Sequence, residues 1–204
     1  ADIIYQAEID YRDWEAGTAI KTFSTTALEI QPVWERTDSS ADIERSLIIL
    51  DPSVIFGSGF HATTRLCLET LERLMLESGE RIASVLDLGT GTGLLAIAAA
   101  KLGAKKVTAV DNNPLACAVA SRNVELNDCQ STLTVREADL LAGFSDWGKY
   151  DLVIGNLYKG LLLRLIEKKE FRQSRLYLLS GFMTGMEGDL MAGLPAEDLQ
   201  VLHR

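Results

Sequence analysis

The chain has 204 residues, of which 47% are hydrophobic and 24% are charged, and these proportions are typical of a globular domain rather than a disordered chain. Its 20 basic and 29 acidic residues give a net charge of −9, which argues against nucleic acid as a partner and favours a basic protein or a small molecule. The longest uninterrupted apolar stretch, Leu94 to Ala100, is too short to cross a bilayer, which takes about 20 residues, so we predict no membrane partner.

The first 50 residues differ in pattern from the rest. Alternating apolar and polar residues over 27–34 and an apolar run over 47–50 predict two strands, and the polar residues 36–42 between them predict the loop of a β-hairpin. From about residue 63 the apolar spacing becomes helical, with Thr63 or Thr64 as the expected N-cap and Gly79 as the expected end.

Strand and helix patterns then alternate along the chain. Strands are predicted over 84–88, 106–110, 133–136, 150–154 and 176–179, and helices over 94–102, 114–127 and 161–168. This alternation predicts an α/β, Rossmann-like fold with a mostly parallel, doubly wound sheet and helices on both faces. Ligands of such sheets bind beyond the carboxyl ends of the strands.

Cysteine and histidine usage bears on metal sites and on the compartment. The three cysteines, Cys67, Cys117 and Cys129, are far apart and form no C-x-x-C pair, and the chain has two histidines. We therefore predict free thiols, no metal site and a cytoplasmic location, where thiols stay reduced.

A glycine-rich loop carries the strongest chemical signal. Residues 85–93 read V-L-D-L-G-T-G-T-G, so that a buried strand leads through three glycines into an alanine-rich helix. Such a loop lets the backbone approach a nucleoside closely, and Asp111, at the end of the next predicted strand, can accept the ribose hydroxyls. Alternatively, the glycines only turn the chain and Asp111 caps the following helix.

Two kinds of cofactor use this arrangement. Residues 91–96 fit the G-x-G-x-x-A form of a dinucleotide loop, but Asp87 would repel a pyrophosphate and suits a ligand with an ammonium or sulfonium group. The pattern D-x-G-x-G-x-G with an acidic end to the next strand resembles class I S-adenosylmethionine-dependent methyltransferases. This resemblance implies S-adenosylmethionine as the cofactor, with Asp139 near the adenine and Asn156, at the end of a buried strand, near the methyl group.

A motif upstream of the glycine loop narrows the choice of methyltransferase family. Residues 51–64 read D-P-S-V-I-F-G-S-G-F-H-A-T-T, which closely resembles the D-P-x-x-A-F-G-T-G-x-H-x-T-T motif of the PrmA family, whose members methylate amino groups of large-subunit ribosomal protein eleven. The resemblance extends from about Trp14 to about Gly181. The usual proline of H-P-T-T is Ala62 here, and the family's N-I-L segment is N-L-Y at residues 156–158.

The resemblance also implies a domain organisation. We expect residues 51–204 to form the S-adenosylmethionine-binding methyltransferase domain. Residues 1–50 would be a lead segment with the β-hairpin, a remnant of a linker without the full substrate-recognition domain of the family.

Carried over by position, the resemblance assigns cofactor contacts to Thr64, Gly89 and Asp111. The complete set of expected cofactor-binding residues is Phe56, Thr64, Asp87, Gly89, Gly91, Gly93, Asp111, Asn112, Asp139 and Asn156. Asn156 and Tyr158 are the expected catalytic residues. Asn156 would accept a hydrogen bond from the amine, Tyr158 or Phe56 would wall the methyl channel, and His61 is a weaker candidate for a base.

Three functions stay open at this point. The upstream motif and the acidic composition favour an N-methyltransferase acting on amino groups of a basic, ribosomal protein. The alternatives are a methyltransferase of the same fold acting on a small-molecule amine, and a cofactor-binding module without catalytic activity.

Overall fold

The computed structural model describes residues 20–36, 45–59, 61–194 and 201–202, and these residues contain two sheets. The smaller sheet has the strand order β1-β2-β3, with β1 at Phe23–Ser24, β2 at Leu28–Pro32 and β3 at Ser46–Leu50. The larger sheet has the order β6-β5-β4-β7-β8, with β4 at Ser84–Leu88, β5 at Lys106–Asp111, β6 at Leu133–Glu137, β7 at Leu152–Asn156 and β8 at Leu176–Ser180.

Five α-helices connect and flank these strands in the described residues. They are α1 (Ala62–Glu72), α2 (Leu94–Lys101), α3 (Pro114–Leu126), α4 (Lys159–Ile166) and α5 (Glu187–Gly193). A π-helical turn, Arg73–Glu77, extends α1, and short 3-10 turns lie at Val33–Glu35, Phe171–Gln173 and Thr184–Met186.

All neighbouring strands of the larger sheet run parallel, which confirms the predicted α/β, Rossmann-like fold. Its central strand β4 is buried on both faces, as a strand covered by helices on each side must be. Most predicted bounds agree within a residue or two. The strand predicted over 150–154 lies two residues later, so that Asn156 is the last residue of β7.

The predicted β-hairpin is wrong. Strands β2 and β3 pair in parallel, with Leu28 opposite Ser46 and Pro32 opposite Leu50, whereas a hairpin would pair them antiparallel. Alternation of apolar residues defines which face of a strand is buried and says nothing of its direction. The antiparallel neighbour of β2 is the two-residue strand β1, and residues 37–42 of the predicted loop lie outside the described residues.

The smaller sheet shares its hydrophobic core with the larger one. Leu28 and Ile48 are completely buried in one cluster with Leu68 of α1 and with Leu94 and Ile97 of α2. Burying a side chain of this size contributes about 1.5–3 kcal/mol. The expected division at residue 50 therefore does not coincide with a gap in the packing.

The N-cap of helix α1 lies two or three residues before the predicted one. His61, with φ −69° and ψ 138°, is the N-cap residue, and both Thr63 and Thr64 lie within the first turn. The prediction of a threonine N-cap is wrong, because the extended backbone that an N-cap requires occurs at His61. Thr64 is consequently helical and only 1% exposed, beside the carboxyl ends of the central strands.

Across the described residues, no helix is long and apolar enough to span a membrane, and no group of three or more His, Cys, Asp or Glu side chains is placed to hold a metal ion. All three cysteines are free; Cys67 and Cys129 are buried and Cys117 is half-buried.

Candidate active site

A cavity lies at the carboxyl ends of β4 and β7, the neighbouring strands at the centre of the larger sheet. The space between its lining residues amounts to about 290 Å³, part of which is open to solvent. Five of the predicted site residues line it: Phe56, Thr64, Asp87, Gly89 and Asn156. The structure adds Gly57, Thr90, Leu94 and Leu95 to the lining. Gly57 belongs to the upstream motif and Thr90 to the glycine loop, so their positions in these motifs could have identified them as lining residues.

The glycine loop adopts a backbone that other residues rarely take. Gly89, Gly91 and Gly93 have φ values of +67°, +56° and +84°, all in the left-handed region. A β-carbon on Gly91 would lie 2.3 Å from the carbonyl oxygen of Phe56, so that only glycine allows the two segments to approach this closely. The amides of Gly89 and Thr90 both donate to the carbonyl of Val110, which fixes the loop on β5.

Asp111 organises this loop rather than the helix that follows. Its Oδ2 accepts a hydrogen bond from the Gly91 amide at 3.0 Å and its Oδ1 accepts one from the Asn113 amide at 2.9 Å. The N-cap of α3 is Asn113, whose side chain accepts from the Leu115 amide, so the interpretation of Asp111 as the helix cap is wrong. Each carboxylate oxygen keeps a lone pair, so Asp111 can still accept hydrogen bonds from a ligand.

Asp87 is a buried carboxyl group beneath the loop. It is 1% exposed, and its Oδ2 accepts a hydrogen bond from the Thr90 hydroxyl at 2.6 Å. Burial, together with the negative charge of Asp111, raises the pKa of Asp87 to about 7, although the hydrogen bonds from the Thr90 hydroxyl and the Ala96 amide act in the opposite direction. A cationic ligand group in the cavity would favour the ionised form of this carboxyl.

The raised pKa of Asp87 predicts a specific pH dependence of folding. The folded state holds the proton up to about pH 7, while the unfolded chain releases it near the ordinary value of 3.8. The contribution of Asp87 to the stability of the ligand-free protein is therefore lost as the pH rises from about 4 to about 7, by an amount on the order of a few kcal/mol. Asp87→Asn removes this contribution, so we expect the unfolding free energy of the variant to fall less over that interval.

Denaturant unfolding of both proteins at several pH values measures this difference, and subtraction cancels the other carboxyl groups. Asp128→Asn makes the same chemical change at an exposed position and serves as the control. If the Asp87→Asn curve runs parallel to that of the unsubstituted protein, the carboxyl is not protonated in the folded state.

Asn156 and Thr64 both line the cavity, and their side chains are in contact. The side-chain Nδ2 of Asn156 donates to Oγ1 of Thr64 at 3.3 Å. The Oδ1 of Asn156 is buried and has no hydrogen-bond partner among the described residues. A buried carbonyl left without a donor costs about 1–3 kcal/mol, and a ligand N–H would remove that cost.

The remaining predicted residues do not line the cavity: Gly91, Gly93, Asp111, Asn112, Asp139 and Tyr158. The Asp139 carboxylate is exposed and accepts hydrogen bonds from the amides of Leu141 and Ala142 within its own turn. The exposed Asn112 follows Asp111, and Tyr158, 67% exposed, immediately precedes α4. The roles proposed for them stay predictions.

Phe56 is half exposed, and its ring stacks on that of His61 with the ring centroids 4.6 Å apart. This contact orients the Phe56 ring where the cavity meets the surface. His61 is therefore engaged in packing at the start of α1, and its proposed role as a base stays a prediction.

Comparison with known proteins identifies the family. Residues 4–201 match the family described as "Ribosomal protein L11 methyltransferase (PrmA)". The chain belongs to the PrmA family. This confirms the resemblance inferred from the upstream motif and the glycine loop.

PrmA relatives are similar along most of the chain. A ribosomal protein L11 methyltransferase from Desulfitobacterium hafniense is 43% identical over 178 residues, which cover 86% of this chain and 54% of the relative. The protein of the same name from Chloroflexus aurantiacus is 40% identical over 182 residues, covering 78% of this chain and 54% of the relative. The chain thus spans about half the length of these two curated PrmA relatives.

A solved PrmA structure agrees with the fold. The crystal structure of a ribosomal protein L11 methylase from Lactobacillus delbrueckii subsp. bulgaricus is 31% identical, with a TM-score of 0.75, and the match covers 90% of this chain and 91% of that chain. The parallel sheet and the helices around the cavity therefore follow the architecture of the family.

Proposed function

We propose that this chain carries the S-adenosylmethionine-dependent catalytic unit of an N-methyltransferase that acts on amino groups of ribosomal protein L11. Membership of the PrmA family supports the reaction and the acceptor. The observation that carries the proposal is the buried, unpartnered Oδ1 of Asn156 in the cavity beside the glycine loop, because an amine is a donor that this oxygen needs.

The residues of the site fit S-adenosylmethionine in charge and in hydrogen-bonding groups. Asp111 offers free lone pairs to the ribose hydroxyls, and Gly89, which lines the cavity without a side chain, would let the backbone come close to the nucleoside. Asp87 places a carboxyl group where the ammonium or sulfonium charge would lie. When bound, S-adenosylmethionine supplies a methyl group attached to a positively charged sulfur.

The protein's own residues would then select and hold the neutral form of the acceptor. A lysine amine has a reference pKa of about 10.4 and must lose its proton before it can attack. Entry into a cavity with Leu94, Leu95 and Phe56 in its lining desolvates the ammonium form and favours the neutral amine. An N–H of that amine donates to Oδ1 of Asn156, which directs the nitrogen lone pair.

The substitution Asn156→Ala distinguishes binding of the acceptor amine from binding of the cofactor. Loss of a hydrogen bond to the amine should lower turnover by roughly ten- to a hundredfold, while the affinity for S-adenosylhomocysteine changes by no more than about threefold. The measurement is transfer of a labelled methyl group to purified ribosomal protein L11, together with calorimetry of S-adenosylhomocysteine binding. Gln173→Ala removes an exposed side-chain amide outside the cavity and should match the unsubstituted protein in both measurements. Unchanged turnover of Asn156→Ala would exclude Asn156 from holding the acceptor.

The choice of acceptor decides between the three functions. We expect methyl transfer to the protein L11 to be much faster than transfer to a small lysine derivative at equal concentration, since binding far from the reacting nitrogen helps to fix the acceptor. Faster reaction of the small amine would favour the small-molecule alternative, and cofactor binding without transfer to either would favour a non-catalytic module. A ribosomal acceptor would place the reaction in the cytoplasm.

A further inference from the structure

Two buried asparagines, Asn123 of helix α3 and Asn127 at its C-cap, contact the smaller sheet. Asn123 is 0% exposed and Asn127 is 4% exposed, one helical turn apart. Asparagine is rarely buried unless its amide is fully hydrogen-bonded. Their hydrogen-bond partners therefore indicate what these residues hold together.

Both side chains pair with the backbone of β3 and the residue after it. Oδ1 of Asn127 accepts from the Ile49 amide at 2.9 Å, and its Nδ2 donates to the Ile49 carbonyl at 2.7 Å. Asn123 makes the same two contacts with Asp51, at 2.8 Å and 2.9 Å.

The spacing of the two asparagines along the helix matches the spacing of their partners along the strand. Four residues of a helix rise by about 6.0 Å, and two residues of a strand by about 6.6 Å. The asparagines therefore satisfy the free edge of β3 as a neighbouring strand would, which positions α3 against the smaller sheet.

Asn123 makes one contact that Asn127 lacks. Its Nδ2 also donates to the carbonyl oxygen of Thr92, in the glycine loop, at 2.8 Å. A single buried amide thus joins the end of β3, the helix α3 and the loop that lines the cavity.

Thr92 extends this connection to the upstream motif. Its hydroxyl donates to the Gly57 carbonyl at 2.7 Å, and its amide donates to the Phe56 carbonyl at 3.2 Å. Thr92 is completely buried, and Phe56 and Gly57 both line the cavity. The two sequence motifs that form the site are consequently linked to each other through Thr92 and to α3 through Asn123.

We propose that Asn123 is a positioning residue that acts through Thr92 to hold the segment Phe56–Gly57 and the glycine loop at the separation that binds the cofactor. The inference rests on the proposed function for the identity of that cofactor. Because a β-carbon at position 91 would collide with the Phe56 carbonyl, the two segments are in direct contact, and a small shift of either changes the shape of the cavity.

Asn127 provides the matched control for a test of Asn123. Asn123→Ala and Asn127→Ala each remove an amide from the edge of β3, so both should lower the midpoint of thermal unfolding. At a temperature where both variants are folded, Asn123→Ala should weaken S-adenosylhomocysteine binding by roughly five- to tenfold, whereas Asn127→Ala should change it by less than about twofold. Thr92→Val, which keeps the side-chain shape but not the hydroxyl donor, should weaken binding in the same direction as Asn123→Ala.

Amide hydrogen exchange in the ligand-free protein tests the same inference independently of the cofactor. Asn123→Ala should accelerate exchange of the Thr92 amide, which donates to Phe56, and Asn127→Ala should leave that amide protected. Equal effects of the two alanine variants on both affinity and Thr92 exchange would overturn the proposal. Failure of the unsubstituted protein to bind S-adenosylhomocysteine would instead overturn the proposed function, and hydrogen exchange would still decide the role of Asn123.

Discussion

Substituting Gly91 by alanine is expected to abolish measurable cofactor binding and to destabilise the fold by about 2–5 kcal/mol. The new β-carbon would lie 2.3 Å from the Phe56 carbonyl oxygen, a backbone atom that moves only if its whole segment moves. The left-handed backbone at this position, with φ +56°, adds a further cost for any residue with a side chain. Urea unfolding measures the stability, and calorimetry with S-adenosylhomocysteine measures the binding.

Gly79 offers the control for this substitution. It also has a left-handed backbone, with φ +71°, but a β-carbon there would meet no described atom within 4 Å. Gly79→Ala should therefore cost only about 1–2 kcal/mol and leave cofactor affinity unchanged. If Gly91→Ala is no more harmful than Gly79→Ala, the close approach of the glycine loop to the upstream motif has no functional importance.

Asp111→Ala is expected to weaken S-adenosylhomocysteine binding by roughly ten- to 150-fold, equivalent to about 1.5–3 kcal/mol for charge-assisted hydrogen bonds. Two effects act in the same direction. The ribose loses its acceptor, and the Gly91 amide loses the carboxylate oxygen that holds it at 3.0 Å. Calorimetry on the folded variant measures the change.

Two further variants test whether Asp111 accepts the ribose hydroxyls. Asp111→Asn keeps the shape and one acceptor oxygen, so its loss of affinity should be smaller than that of the alanine variant. Glu125→Ala removes an exposed carboxylate from α3 and should alter affinity by less than about twofold. Unaltered binding in Asp111→Ala would mean that the ribose hydroxyls find another acceptor.

The central part of the fold was predictable because its determinants are local. The apolar run of β4, the glycines after it and the alanine-rich start of α2 are consecutive in the chain, and a strand, a turn and a helix each have a distinct period or backbone requirement. The position of Asp111 at the end of β5, beside the glycine loop, was predictable for a related reason. In a parallel sheet the ends of adjacent strands meet at one edge, so its place follows from the strand assignment.

The upstream motif contains a feature that local sequence did not predict, the start of α1. Its residues were sufficient to predict the family. The N-cap of α1, however, was predicted two or three residues too late. The backbone angles at His61 depend on how the whole segment lies against the glycine loop, and Gly57, Thr92 and Phe56 make that contact across about 35 residues of sequence.

The sequence by itself determined the parallel α/β sheet, the glycine loop and the acidic strand end, since each depends on residue types at short spacing. Only the tertiary structure decided that β2 and β3 run parallel, that Asn123 reaches both Asp51 and Thr92, and that Oδ1 of Asn156 is left without a donor. Strand direction and the partners of a buried amide depend on groups brought together from distant parts of the chain. No local period encodes them, because burial and hydrogen-bond satisfaction of the complete fold select these contacts.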